Sequence, residues 1–429
     1  MKKSNYGKMF STALMMMAAM TMTSCSGSKK IYGGSNVGES SDMGKNEEDL
    51  DNSYLVLSEK QHDVINKNNE FALRLFDKIS GQSSQIVSPM SVAYLMGMLA
   101  NGADGQTRQE IMKAIGCEKV SLKDLNEFYQ MMITRANHFD KATTINIADY
   151  IALNRQYQLK DGFASTMQNY YKAGIESLDF SKASTLKRIN RWCSDHTDGM
   201  IPKIIEQVDA DAVSYIMNAI YFNGTWTDKF DTRQTKLENF QGYTRDIKKT
   251  QMMHRNGKYQ YMDNADFAAV NLPYGNGSYS MTVILPNRGK SIDEVMAGLD
   301  AKKVSELGRS MDECVVDLKL PRFTISQETS LNDIISKLGA PTMFTSGADF
   351  SNFASGNLSI SKMLQKAKIE VSEEGTKASA VTMAMVAMTA LRPEPRKVEF
   401  HVNRPFIYMI TENSTGAILF MGQYTGSEL

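Results

Sequence analysis

Residues 215–226 have the sequence YIMNAIYFNGTW, and the first eight of them are nearly all apolar. Such a run is expected of a strand near the centre of a sheet, where both faces are buried. Upstream, Ile145, Ile147, Ile151 and Leu153 alternate with period two, as on a half-buried strand. Further strand candidates follow at residues 281–285, 315–320, 406–410 and 417–424. The segment 215–226 is therefore predicted to lie at the centre of a β-sheet.

Helices are predicted mainly in the first part of the chain. Apolar residues recur with a spacing of three to four between Val64 and Ile79, which indicates a helix. Ser88 followed by Pro89 is typical of a helix start, because Pro favours the first helical position. Residues 107–110 (TRQE) fit a capping box for another helix. Since helices come mostly first and strands mostly last, the predicted fold class is α+β.

Composition limits the classes of protein to which the chain can belong. It has 429 residues, 42% of them hydrophobic, and a mean hydropathy of -0.34, which together favour a soluble body with a sizeable core. Lys+Arg and Asp+Glu both number 48, so no bulk charge favours a nucleic-acid partner. No repeat or later linker is found, and a single domain is predicted at residues 61–429.

The N-terminus is predicted to target the chain to a bacterial cell envelope. Lys2 and Lys3 precede an apolar stretch at residues 9–22 that is too short to span a bilayer, as in a signal peptide of residues 1–24. Residues 22–25 (MTSC) resemble a lipobox, whose Cys, here Cys25, carries the lipid; the alternative is an ordinary cleaved signal. Residues 25–60 are expected to form a flexible tether from an outer-membrane anchor. The anchored protein would face the periplasm or the cell surface.

Signatures of catalysis or metal binding are not found. There is no GxSxG or HExxH motif, and neither His254 nor His401 has an acidic or cysteine neighbour in sequence. Cys117, Cys193 and Cys314 are scattered and are predicted to be small buried apolar residues rather than disulfide partners. The sequence therefore predicts no enzyme activity, no metal and no cofactor.

Residues 373–391 (EEGTKASAVTMAMVAMTAL) form an unusual segment. From Ala378 onward it lacks charge, Gly and Pro, and it ends before Arg392 and Pro393. With period two, one face carries small residues first and larger ones later: Thr376, Ala378, Ala380, Thr382, Ala384, Val386 and Met388. Such a face is suited to slide between neighbouring strands. A membrane helix is excluded by length, while a buried amphipathic helix and a fixed interior strand remain as alternatives.

The chain resembles the serpin family from Gln61 to Tyr424. Six segments carry the resemblance, in the family order and spacing: residues 87–91 (VSPMS), 218–226 (NAIYFNGTW), 321–323 (PRF), 374–378 (EGTKA), 403–406 (NRPF) and 420–422 (FMG). The resemblance implies helices packed around a large central mixed β-sheet and smaller sheets. It also implies an exposed reactive-centre loop at residues 373–399.

The resemblance implies roles for individual residues. The hinge of the loop would comprise Glu373, Glu374, Gly375, Thr376, Lys377, Ala378, Ser379 and Ala380. Ser88, Ser91 and Asn218 match the shutter, a polar cluster under the middle of the sheet, and Trp226 matches the aromatic residue where the loop first inserts. Gln365 stands where many members have His, so little pH response is expected from the shutter. The alternatives are structural, with Ser88 as a helix cap and Trp226 as a core residue.

By resemblance, the function is irreversible inhibition of a serine or cysteine endopeptidase. The protease would cut the loop at Met388, Thr389 or Ala390, form a covalent acyl complex, and be trapped when the loop inserts into the sheet. The small and apolar residues 386–391 suit elastase-like or subtilisin-like proteases, and a monomer is expected. The alternatives are a non-inhibitory serpin-fold protein and a nutrient-binding surface lipoprotein.

Overall fold

The computed structural model describes residues 54–376 and 394–426. The helices in these ranges are α1 (Glu59–Ile79), α2 (Pro89–Gly102), α3 (Gly105–Ala114), α4 (Leu122–Arg135), α5 (Asp161–Thr166), α6 (Ala183–His196), α7 (Ile292–Gly298), α8 (Ala301–Leu307) and α9 (Asn332–Lys337). A π-helical turn, Met167–Tyr171, follows α5. None of the helices in the described ranges has the length and apolar character needed to cross a membrane.

Helix starts follow local side-chain chemistry. The hydroxyl of Ser88 accepts a hydrogen bond from the backbone of Ser91, and Pro89 is the first residue of α2, as predicted. The capping box predicted at residues 107–110 is wrong. Asp104 caps α3 instead, and the Thr107 hydroxyl accepts from the backbone of Asp349. Asp104 takes this position because its carboxylate reaches the first amide of the helix.

The strands of the described residues form two sheets. The first two strands are β1 (Gln85–Val87) and β2 (Thr143–Asn154). They are followed by β3 (Gly174–Leu178), β4 (Ser214–Thr225), β5 (Lys236–Gln241), β6 (Ile247–Asp263), β7 (Phe267–Tyr274), β8 (Tyr279–Pro286), β9 (Asp312–Pro321), β10 (Phe323–Ser330), β11 (Lys362–Val371), β12 (Gly375–Thr376), β13 (Lys397–His401), β14 (Phe406–Glu412) and β15 (Ala417–Tyr424).

The two sheets confirm the predicted fold class. A nine-stranded sheet has the order β1-β15-β14-β8-β7-β6-β9-β13, with β5 on β6. A six-stranded sheet has the order β10-β11-β4-β2-β3, with β12 on β4. This sheet is mixed, because β11 is parallel to β4 whereas β2 is antiparallel to it. Residues 215–226 lie in and just after β4, in the interior of the six-stranded sheet, as predicted.

Both faces of β4 are buried, which explains its apolar sequence. Ile216, Ile220 and Phe222 belong to the main core, which also contains α2. Tyr215 and Met217 on the other face belong to a second cluster with residues of α6. The strands β4 and β11 pair side by side from Tyr215↔Lys362 to Tyr221↔Lys368, and beyond that point they separate.

Candidate functional site

The chain makes a tight turn after β11 and returns beside β4. The amide of Gly375 donates to the Ser372 carbonyl at 3.2 Å, and the Ser372 amide donates to the Gly375 carbonyl at 2.8 Å. Gly375 then pairs with Thr225, and Thr376 with Gly224, both antiparallel. Gly375 has a φ of +134°, and a Cβ there would lie 2.2 Å from the Gly224 carbonyl oxygen, so only glycine fits. The first hinge residues therefore lie as a short strand where β4 and β11 separate.

Trp226 holds this turn from the end of β4. Its ring stacks on Tyr274 with 4.3 Å between centroids and an interplanar angle of 11°. Its indole N–H donates to the Ser372 carbonyl at 2.9 Å, and its backbone N–H donates to the Glu374 carbonyl at 3.0 Å. Trp226 is thus a buried core residue that also contacts the hinge directly.

The two acidic hinge residues are both paired. Glu373 is only 6% exposed; its carboxylate accepts from the Thr235 hydroxyl at 2.8 Å and lies 3.7 Å from Arg322. Glu374 pairs with Lys229 at 2.5 Å. Thr376 is fully buried, with its hydroxyl 3.0 Å from that of Tyr274. These contacts stabilise the turn before the chain continues into the loop.

A row of polar residues crosses the face of the six-stranded sheet that packs against the main core. Thr329, Gln365, Asn218 and Asp149 lie directly opposite one another on β10, β11, β4 and β2. All four are buried. We call these four residues the polar row.

Hydrogen bonds link the polar row to α2. The Ser88 backbone N–H donates to Gln365 Oε1 at 2.7 Å, and Gln365 Nε2 donates to the Ser88 carbonyl at 3.0 Å and to Asn218 Oδ1 at 2.8 Å. Asn218 Nδ2 donates to Asp149 Oδ1 at 2.8 Å. Ser88 Oγ lies 3.0 Å from Ser91 Oγ and donates to the Leu419 carbonyl at 2.7 Å. The structure therefore brings together all four residues assigned to the shutter.

Asp149 is a member of this cluster that the sequence analysis missed. It lies on the face of β2 that carries Ile145 and Ile151. The sequence signal that could have identified it is a single acidic residue within an alternating apolar pattern. Burial raises the pKa of Asp149 from 3.8 to about 7, although the hydrogen bond from Asn218 acts in the opposite direction. The expectation of little pH response rested on Gln365 alone and did not include Asp149.

The remaining predicted loop residues lie outside the described ranges. These are Lys377, Ala378, Ser379, Ala380, Met388, Thr389 and Ala390, and Cys25 also lies outside. After the loop, β13 pairs in parallel with β9 at the edge of the nine-stranded sheet. The two ends of the loop are therefore anchored in different sheets.

Asp317 lies between the two histidines that have no acidic neighbour in sequence. His254 Nε2 is 2.6 Å from one carboxylate oxygen of Asp317, and His401 Nε2 is 3.2 Å from the other. Burial opposes the shift, but the hydrogen bonds from both histidines lower the pKa of Asp317. The three residues come from β6, β9 and β13, so their proximity depends on strand order. In residues 54–376 and 394–426, no group of three or more His, Cys, Asp or Glu is arranged to hold a metal ion.

The described cysteines are unsuited to nucleophilic chemistry. Cys117, Cys193 and Cys314 are free and buried, as the sequence predicts. Burial raises the pKa of Cys117 and of Cys193 to about 12, so neither forms a thiolate near neutral pH.

Comparison with known proteins gives a consistent assignment. The family model described as Serpin (serine protease inhibitor) matches residues 66–426. The chain is similar to Iripin-2 of Ixodes ricinus, with 31% identity covering 86% of this chain and 96% of Iripin-2. It is also similar to leukocyte elastase inhibitor A of Mus musculus, with 31% identity covering 83% and 97% of the two chains. The native structure of tengpin, a thermophilic serpin, superimposes with a TM-score of 0.78 at 29% identity, covering 87% of this chain and 96% of tengpin. The chain therefore belongs to the serpin family.

Proposed function

We propose that the protein is an irreversible suicide-substrate inhibitor of serine or cysteine endopeptidases, and not an enzyme. The target cuts the loop and remains bound as an acyl-enzyme, while the freed loop inserts between β4 and β11. The observation that carries this proposal is the antiparallel pairing of Gly375 and Thr376 with the end of β4. A strand that begins there and continues in the same direction must run between β4 and β11.

The register of β12 determines where each later loop residue would fall. If the inserted strand continues the pairing Thr376↔Gly224 along β4, Ala380 would lie opposite Ile220, Thr382 opposite Asn218 and Val386 opposite Ser214. Ile220 belongs to the main core, so the small face of the loop would be buried. Thr382 would enter the polar row between Asn218 and Gln365, which keeps that level of the sheet polar.

The energy of insertion is sufficient for trapping. Insertion replaces one set of interstrand hydrogen bonds, between β4 and β11, with two sets, one on each side of the inserted strand. At about 1 kcal/mol for each net hydrogen bond, a strand of this length gains on the order of 10 kcal/mol. Loss of a catalytic triad lowers the rate by about 10⁶, which corresponds to ~8 kcal/mol. Insertion can therefore drive the distortion of a protease active site.

Elastase-like and subtilisin-like proteases are the proposed targets. Residues 386–391 (VAMTAL) are small or apolar and suit shallow or apolar specificity pockets. Arg392 precedes Pro393, which disfavours cleavage by trypsin-like enzymes. The similarity to leukocyte elastase inhibitor A supports the same class. A non-inhibitory binding protein is disfavoured by the small face of the hinge.

Incubation with elastase, subtilisin and trypsin tests this function. With elastase or subtilisin we expect a band of summed mass that survives SDS, as from a monomer acylating one protease. Mass spectrometry of the released peptide should locate the bond at Met388, Thr389 or Ala390. If all three proteases cut the loop and none forms an SDS-stable band, the inhibitory function is contradicted. A stable complex that is cut after Lys377 or Arg392 would contradict the target class.

We also propose that Cys25 anchors the inhibitor to the outer membrane through lipid, with residues 25–60 as a tether. Two or more acyl chains hold a protein stably in a bilayer. In cells, the wild type should partition with detergent in a phase-separation assay, while Cys25→Ala should enter the aqueous phase. Equal partition of the two proteins would refute the anchor and leave inhibition untouched.

A further inference from the structure

A chain of hydrogen bonds leads from Ser88 to Asp149. Ser88 donates to Gln365, Gln365 donates to Asn218, and Asn218 donates to Asp149. Each amide oxygen accepts from the side of α2 or β11 and each amide nitrogen donates toward β2, with one further bond from Gln365 Nε2 back to the Ser88 carbonyl. Asp149 is the acceptor at the end of the chain.

One bond of this chain crosses the line along which the sheet must open. Gln365 and Asn218 are register partners on β11 and β4, the strands between which the loop would insert. Gln365 is held in orientation by both backbone groups of Ser88. Asp149 is thus connected to the opening line through one intermediate side chain, Asn218.

The surroundings of Asp149 do not compensate a negative charge. Tyr94 on α2 and Tyr171 in the π-helical turn are the titratable groups coupled to it, and burial raises the pKa of both phenols, so they remain neutral. In the described part of the chain, no Lys or Arg lowers the pKa of Asp149. Its neighbours on β2, Ala148 and Tyr150, belong to the cluster on the opposite face of the sheet. An ionised Asp149 is therefore stabilised chiefly by the single amide of Asn218.

We propose that Asp149 is a positioning residue for sheet opening: on ionisation it leaves a buried charge that no cation among the described residues offsets, which destabilises the closed sheet so that β4 and β11 separate more readily. The inference rests on the proposed function, because opening matters only if the loop inserts. Asp149 contacts Asn218, the partner of Gln365 across the opening line.

The direction of the pH effect follows from burial. In the closed protein the pKa of Asp149 is about 7, above the 3.8 of a hydrated carboxyl group. The closed state therefore holds a proton that an opened or unfolded state releases. The contribution of Asp149 to stability is therefore greatest at low pH, falls as the pH rises between these two values, and is constant above the higher one.

Thermal unfolding of the intact protein, measured without protease from about pH 5.5 to about pH 8.5, tests the proposal. The wild-type midpoint should fall by several degrees with rising pH. Asp149→Asn, which stays neutral, should have the wild-type midpoint at low pH, and its midpoint should change little as the pH rises. Asp140→Asn is the matched control, since Asp140 is also buried, lies just before β2 and is outside the polar row; it should keep the wild-type profile.

A second measurement addresses opening itself. A synthetic peptide of residues 376–386 should anneal into the intact wild type several-fold faster at the higher pH, and Asp149→Asn should remove this difference. If Asp149→Asn does not fold, Asp149→Ser replaces it. A wild-type midpoint that does not fall, or a fall that survives in the Asp149 variant, would overturn the proposal. Absence of a stable protease complex would instead refute the proposed function and leave the pH profile of unfolding unaffected.

Discussion

The side chain of Gln365 connects β11 to β4, the two strands that flank the opening line. It satisfies three groups at once: the N–H and C=O of Ser88 and the Oδ1 of Asn218. All of these groups are buried. A neutral amide suits this position because it donates and accepts simultaneously.

Gln365→Leu should therefore destabilise the native protein. Leucine has similar volume but leaves buried polar groups of Ser88 and Asn218 without partners, which costs roughly 2–4 kcal/mol in the free energy of unfolding. Chemical denaturation would measure the loss. Gln234→Leu, at an exposed position, serves as the control and should change stability little. Equal stability of both variants would show that the Gln365 contacts contribute nothing.

Individual site residues were predictable to different degrees. Ser88, Asn218 and Gln365 were assigned to the shutter because they occur in segments or at positions that resemble the serpin family. Asp149 was missed, since period two identifies a buried face but not which polar residue on it finds a partner. Asp317 was missed because strand order, which sequence alone does not provide, brings it between His254 and His401.

At the scale of elements, β12 links the turn after β11 to the sheet. The position of β12 depends on the close approach of Gly375, its first residue, to the backbone of β4. It also depends on the contacts of Trp226 with the turn. The strands β4, β8, β9, β14 and β15 could be predicted from apolar patterns. The register of β12 could not, because two residues carry no period and their pairing depends on tertiary contacts.

Thr376→Arg should convert the inhibitor into a substrate. Thr376 is fully buried beside Tyr274, so arginine would place a charge in the core or force β12 away from β4. Slower insertion lets the protease complete hydrolysis, so the stoichiometry of inhibition should rise severalfold. Titration of elastase activity measures it.

Thr376→Ser is the matched control, because it keeps a small hydroxyl side chain at the same position. It should inhibit nearly as the wild type does. Ala380→Pro should behave like Thr376→Arg, since proline removes a donor from the new strand. Unchanged stoichiometry in both Thr376→Arg and Ala380→Pro would contradict insertion.

For the whole molecule, the decisive feature is that the loop connects two sheets. Its first end lies in the six-stranded sheet as β12, and its second end continues as β13 at the edge of the nine-stranded sheet. In the proposed mechanism, a cut between them would release the first end to insert while β13 stays paired with β9. The α+β class was predictable from the order of helices and strands, whereas this arrangement of the loop ends depends on the sheet topology.

The most direct test of the account is the unfolding midpoint before and after the loop is cut, using a protease that cleaves within residues 377–393 without being trapped. Insertion worth on the order of 10 kcal/mol should raise the midpoint by about 20 °C or more, at ~2 °C per kcal/mol for a domain of this size. Thr376→Arg cut at the same bond should show a much smaller rise. Equal midpoints for the intact and the cut wild-type protein would contradict the claim that the loop becomes a strand of the sheet.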